Sequence, residues 1–521
     1  TGRDTLTGRL GSDTFVIRAG DGGNTIDLAD VITDFEDGTD VISGLTYSEL
    51  TIAQGTGSYS SSTVISRSGE YLAVLQGVVS SNVNYLDFVS LTSPADGTPA
   101  NDVLIGTVSS DTIIGGGGSD IILGWTGDDT ITVGGNNGSI FTTIVNGGAG
   151  TDRLNISYTG ISSLKDLAPL SMVGDALVFT DTNGGTIKAS DIESLYVNSN
   201  EYVLYLGSRL IWGTNEKTMY ALPGSNFSAS LGWLNNLSGF SSTDNFEFVG
   251  SNGQDTINLN VNRSTYSGIF KLNMGDGNDT ILSSNLKNTD RIDLGAGDDT
   301  IFVMSSDLTN LNVALLSGGS GFDTLVFEES TISIGQTLSL TTGGATGFEN
   351  LRGSATAEIL SGDDNANVIK GLGGADAIYG FGGDDTLYAD DMFDTTASSN
   401  VTSDSLYGGT GNDILIGSAG SNILDGGTGR DTLTGRLGSD TFVIRAGDGG
   451  NTIDLADVIT DFEDGTDILS LAGTLVFSNL VIAQGTGSHL ADTLIKIGST
   501  GEYLAVLLNI NATTITDVDF E

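Results

Sequence analysis

Residues 106–132 read GTVSSDTII, GGGGSDIIL and GWTGDDTIT, three nonapeptides of the form GGxGxDxUx in which U is a large apolar residue. Asp111, Asp120 and Asp129 fall nine apart, in step with Asp102. Six Gly-rich residues make a turn, because glycine takes positive φ and lets backbone carbonyls converge with no Cβ in the way. The next three make a short strand, whose alternation points Ile113, Ile122 and Ile131 inward and their small polar neighbours outward. Two nonapeptides make one coil, so stacking sets Asp129 on Asp111 and Asp120 on Asp102. A carboxylate from one turn, with carbonyls from it and from its neighbour, then offers a hard cation about six oxygens, as calcium requires.

The period returns twice more. GLGGADAIY and GFGGDDTLY carry Asp376 and Asp385 after Glu358 and Asn367. GGTGNDILI, GSAGSNILD, GGTGRDTLT and GRLGSDTFV carry Asp404, Asp413, Asn422, Asp431 and Asp440 at nine-residue steps. Asp4 and Asp13 repeat the last pair near the start, and single turns recur at Asp152, Asp255, Asp279, Asp299 and Asp323. These aspartates are the expected metal ligands. The bland alternative is solvent-facing Asp-Gly turns without an ion. Asn367, Asn422 and Glu358 depart from the motif, which marks their sites as weak or empty.

In-register copies in this number resemble the RTX, or haemolysin-type calcium-binding repeat, family of secreted bacterial proteins. The resemblance implies a right-handed parallel β-roll, with calcium held between turns by glycine-turn carbonyls and the sixth-position Asp. It also implies a chain that stays unfolded at cytosolic calcium, leaves through a type I secretion channel and folds outside. Dissociation constants on the order of 10⁻⁴ to 10⁻³ M suit that switch.

Composition agrees. The chain has 66 acidic and 19 basic residues among 521, a net charge of -47. This argues against a nucleic-acid partner and, in a compact body, asks for cations among the carboxylates. With no cysteine and one histidine, His489, a softer metal lacks its usual ligands. No run of about 18 apolar residues predicts a membrane span.

A second repetition is larger: Thr1 to Asp40 recurs identically as Thr428 to Asp467, and IAQGTGS and GEYLAVL follow in both copies. This predicts a tandem array with a unit of about 427 residues. The opening reads as the middle of a repeat, as in a fragment of a longer chain. The repeated module, GSDTFVIRAGDGGNTIDLADVITDFEDGTDVI, resembles the C-terminal part of the serralysin-type calcium-binding domain and related cyanobacterial proteins, which implies that it closes the end of a roll. Its Asp27, Asp30, Asp34, Glu36, Asp37 and Asp40 either cap the solenoid or bind a further ion.

The expected fold is all-β, a parallel β-roll and β-helix solenoid with capping end modules. End modules are placed at 1–90 and 441–521, a linker with Pro94 and Pro99 at 91–100, and calcium rolls at 101–156 and 346–440. A β-rich spacer occupies 157–249. Over 250–345 the acids Asp255, Asp279, Asp299 and Asp323 recur at intervals much wider than the nonapeptide, which predicts a wider β-helix with one calcium turn per coil. The spacer's Tyr202, Tyr205, Trp212, Tyr220, Phe227 and Trp233 either cap the core or form a glycan platform or subunit contact.

No HExxH, GxSxG elbow or Walker loop occurs, and the lone His489 in GTGSHLADT builds no triad. Paired carboxylates for glycoside chemistry stay open. The Asn226 and Asn400 sequons read as chance matches. The leading expectation is a non-catalytic extracellular or cell-surface protein, a tandem unit of a fibre, surface layer or adhesin that self-associates on calcium. The alternatives are the secretion and folding domain of a larger enzyme or toxin, and a carbohydrate-binding adhesin.

Overall fold

The computed structural model describes residues 2–11, 13–89, 96–134, 140–167, 170–205, 210–222, 227–231, 239–261, 265–283, 286–287, 289–304, 316–328, 336–340, 345–390 and 402–521. Trp233, Asn226, Asn400 and Pro94 lie outside them. The described elements are strands and short 3-10 turns, so the fold is all-β. Among the described residues no helix is long and apolar enough to cross a membrane. The chain forms two compact units, Thr1–Gly224 and Ser225–Glu521, and the division falls within 157–249.

In the first unit, residues 1–89 form a module of two small sheets. Thr5–Leu6, Asp30–Ile32 and Glu70–Leu75 run parallel, and Thr63–Arg67 and Thr51–Gln54 extend that sheet antiparallel. Thr14–Val16, Val41–Ser43 and Phe88–Val89 form the other. Phe15, Ile17, Ile32, Ile42, Leu75 and Phe88 fill the space between.

The roll follows. One sheet stacks Val103–Ile105, Ile121–Leu123, Thr142–Asn146 and Thr186–Ser190; the other stacks Thr112–Ile114, Thr130–Val133, Arg153–Ile156 and Ser194–Val197, all in parallel. The registers set Ile113, Ile131, Leu154 and Leu195 in one column and Ile122, Val145 and Ala189 in another, all buried. Each coil thus contributes one inward apolar residue per sheet. Every large one adds roughly 1.5–3 kcal/mol on burial.

The stacking then turns antiparallel through Asn200–Tyr205, Leu210–Gly213 and Thr218–Ala221. Here Tyr202, Trp212 and Tyr220 are fully buried, and both tyrosine hydroxyls donate to Glu216, at 2.6 and 2.9 Å. Phe227 is buried in the second unit, and Tyr205 is partly exposed. The rings of Tyr202, Trp212 and Tyr220 therefore sit in the core, out of reach of a glycan.

The second unit is a longer stack. Ile257, Ile281, Ile301, Leu325, Leu351, Ile369, Leu387, Leu415, Leu433 and Ile459 form one buried column. Leu338, Leu360, Ile378, Leu406, Leu424, Phe442 and Leu469 form the facing one. The pairs Thr256↔Thr280, Thr280↔Thr300 and Thr300↔Thr324 repeat at the same intervals as Asp255, Asp279, Asp299 and Asp323, one glycine turn per coil. An antiparallel hairpin, Leu480–Gln484 with Thr493–Ile497, pairs with Tyr503–Leu507 and ends the stack.

Candidate metal centres

Each turn brings its aspartate to the edge of the stack, where the residue after the turn enters the strand. The backbone N–H of that aspartate donates to Oδ1 of the acid in the next coil. Asp102 donates to Asp120 at 3.0 Å, Asp111 to Asp129 at 2.8 Å and Asp129 to Asp152 at 2.8 Å. In the second unit the bonds run Asp255 to Asp279 to Asp299 to Asp323, at 2.7, 2.6 and 2.9 Å. Further runs join Glu358, Asp376 and Asp404, and Asp385, Asp413 and Asp431. One carboxylate oxygen per turn is thereby used by the protein.

The other is left over. Among the described residues, Oδ2 of Asp13, Asp120, Asp129, Asp152, Asp279, Asp299, Asp323, Asp376, Asp385, Asp413, Asp431 and Asp440 is buried without a hydrogen-bond partner. A buried acceptor in that state costs about 1–3 kcal/mol, and more when charged. Twelve such oxygens in equivalent turns are a pattern, and it is the pattern a bound cation would complete. The glycine five residues earlier leaves the space: a Cβ on Gly371 would sit 2.5 Å from both Asp376 Oδ2 and the Ala389 carbonyl of the next coil.

Asn422 shows which oxygens such a turn gathers. Its Nδ2 lies within hydrogen-bond reach of the carbonyls of Gly420, Ser418 and Gly435, at 2.8, 3.3 and 3.5 Å, and of Asp440 Oδ1 at 3.1 Å. Four oxygens face one positively polarised nitrogen. Among the described residues no three acidic, His or Cys side chains converge. The donor set per turn is thus one carboxylate with backbone carbonyls, all hard oxygens, and it suits calcium better than a softer ion. The aspartates with open Oδ2 and the glycine-turn carbonyls beside them would hold the ion, which would neutralise the stacked negative charge.

Burial dominates the electrostatics of these turns. Desolvation, followed by repulsion from neighbouring acids, pushes Asp279 and Asp376 up to about 8 and Asp385, Asp431 and Asp440 up to about 7. Asp129, Asp299, Asp323 and Asp413 rise to about 6, and Asp120 and Asp152 also rise. An adjacent divalent cation reverses this preference.

The remaining sequence-derived residues are placed differently. Asp4 is exposed. Asp102, Asp111 and Asp255 have Oδ2 bound by donors within their own turns, and Asp404 Oδ2 accepts from the Ser418 hydroxyl at 2.8 Å. Other acids, absent from the aspartate pattern, continue the ladders. Asp457 and Asp467 receive the N–H groups of Asp431 and Asp440, Glu349 that of Asp323, and Glu193 that of Asp152. Their signal is an acid two residues before a buried apolar one, as in Asp457-Val458-Ile459 and Glu349-Asn350-Leu351. In the first module, Asp30 and Asp40 accept from Asp4 and Asp13 in the same way, and Asp34 accepts from Gly8 and Arg9. These module acids cap backbone donors.

The description that matches the chain is the RTX calcium-binding nonapeptide repeat, in four copies over residues 96–131, 288–304, 361–395 and 403–442. No curated protein matches. Among solved structures, the extracellular lipase LipA from Serratia marcescens is 14% identical, with a TM-score of 0.19 over 86% of this chain, which spans 44% of the lipase. The AlgE6R3 subunit of the Azotobacter vinelandii mannuronan C5-epimerase is 22% identical, with a TM-score of 0.12, over 32% of this chain and 80% of that subunit.

Proposed function

Since this chain carries RTX calcium-binding nonapeptide repeats that bind calcium in multiple sites, we propose that it is a secreted, non-catalytic structural protein. It folds and assembles on calcium outside the cell, as a tandem unit of an extracellular fibre, surface layer or adhesin. The observation that carries the calcium-driven part is the set of twelve buried carboxylate oxygens without partners. The tandem part rests on the forty-residue identity between Thr1–Asp40 and Thr428–Asp467.

Calcium titration from a chelated start, followed by far-ultraviolet circular dichroism and light scattering, tests both. The expected result is a cooperative gain of β signal, with scattering rising at the same step. A spectrum already folded in chelator and indifferent to calcium overturns the reading. Folding without assembly removes the fibre and favours a secretion and folding domain of a larger enzyme or toxin. The adhesin reading has fewer surface rings to draw on, because Tyr202, Trp212 and Tyr220 are buried.

A further inference from the structure

We infer that the residue four positions before the acid decides whether a turn accepts calcium: a left-handed residue there opens the turn to the ion, and a serine or threonine there shuts it. The inference rests on the calcium reading and sorts the turns within it. All twelve aspartates with an unpartnered buried Oδ2 have a positive-φ residue at that position. In seven it is glycine, as at Gly275 and Gly427, but Arg9, Trp125, Leu372, Phe381 and Arg436 hold φ of 69 to 83°. A side chain in that region costs on the order of 1 kcal/mol, so the turn keeps the conformation against a local penalty.

Five turns carry Ser or Thr there, and none of the five has positive φ. Thr107 donates its N–H and hydroxyl to Asp111 Oδ2, at 2.5 and 2.9 Å, and Thr98 does the same to Asp102 at 2.6 and 2.9 Å. Ser251 donates N–H to Asp255 Oδ2 at 2.7 Å and its hydroxyl to Oδ1 at 3.2 Å. Ser354 donates both groups to Glu358, and the Ser418 hydroxyl lies 2.9 Å from Asn422 Oδ1. Each hydroxyl also accepts the N–H two residues on, at 3.1 to 3.3 Å. The same two-donor latch is therefore built on four acids, and at the fifth turn the neutral Asn422 fills the space with its own Nδ2. The latch gives each acid the donors that calcium would otherwise replace, and an ion would have to break two charge-assisted bonds to enter.

The latches also have a place in the stack. Asp102 and Asp111 occupy the first glycine turns of the roll in the first unit. Asp255 precedes Asp279, and Glu358 precedes Asp376. These four ladders thus start on a latched turn, whereas the run to Asp385 starts on Asn367 and the Asn422 turn lies between Asp404 and Asp440.

Counting calcium ions on the full chain by native mass spectrometry tests this. Asp111→Asn should leave the count unchanged, Asp129→Asn should lower it by one, and Thr107→Gly should raise it by one. A gain cannot come from misfolding, so Thr107→Gly decides even if Asp129→Asn does not fold. Loss of an ion in Asp111→Asn, or no gain in Thr107→Gly, overturns the inference. An unsubstituted chain that binds no calcium overturns the calcium reading instead.

Discussion

Thr1–Asp40 and Thr428–Asp467 share one sequence but not one environment. In the second copy Asp431 and Asp440 are buried, stacked beneath Asp413 and Asn422 of the preceding coils. Of their first-copy counterparts, Asp4 is exposed and Asp13 half-buried. Leu433 is fully buried where Leu6 is only partly so, and Arg445 reaches back to Asp425, ahead of the repeated stretch, whereas Arg18 is exposed. The bonds forward, to Asp30 and Asp40 or to Asp457 and Asp467, are the same in both. The burial of a nonapeptide thus varies with what stacks on it, as expected of a solenoid whose stability lies in nearest-neighbour interfaces.

Four measurements break or sharpen that contrast. The largest effect is expected from chelation at pH 8: hydrogen exchange over 402–445 should accelerate at least about tenfold, and more than over 2–18. Equal responses would mean that the preceding coil adds nothing. Next is pH. In chelator, the raised values of Asp376 and Asp457, about 8, and of Asp431 and Asp440, about 7, lie above the unfolded carboxylate range. Folded stability is then fully present below about pH 4 and is lost as pH rises through 7 to 8. Circular dichroism of the chelated protein should gain β signal on acidification, while calcium affinity should fall, because protons compete for the same oxygens. A chelated protein that unfolds on acidification contradicts the burial argument.

Packing gives a smaller difference. Leu433→Ala should cost about 2–5 kcal/mol in calcium, and Leu6→Ala clearly less, read as the shift in urea midpoint of each transition. Matching losses would show that the first copy is as fully packed as the second. The smallest effect belongs to Arg445, which pairs with Asp425 and, at 3.3 Å, with Asp448. Arg445→Ala should lose about 1 kcal/mol or less and Arg18→Ala nothing measurable.

Much of this is legible in the sequence. The apolar residue two places after each acid, as in Asp111–Ile113 and Asp385–Leu387, reads directly as the inner column. The widened spacing of Asp255, Asp279, Asp299 and Asp323 reads directly as strand register. What stayed hidden had no periodic signal. Asp457 joins the ladder on geometry alone, since no glycine turn precedes it, and Glu349 follows the turn GATGF but replaces the motif's aspartate. Thr107 and Ser251 look like imperfect glycines until the sign of φ is known, because a motif records residue types and not backbone conformation. Trp212 lies where the period lapses, so nothing in its surroundings told a core ring from a surface one.

The ladder of turn acids has a direction: in each link the carboxylate belongs to the C-terminal coil and the N–H it receives belongs to the coil before. The residues just before those acids run the other way, with Asp128, Asp298 and Asp384 accepting from Thr151, Phe322 and Asn412 of the following coil. For the turn acids, a stack that grows from its C-terminal end offers each incoming turn an acceptor already fixed in position. Growth from the other end must bring a mobile side chain to a waiting amide and pay its ordering entropy at every step. The edge thus carries two opposed ladders, and growth in either sense meets one set of acceptors already fixed and must order the other.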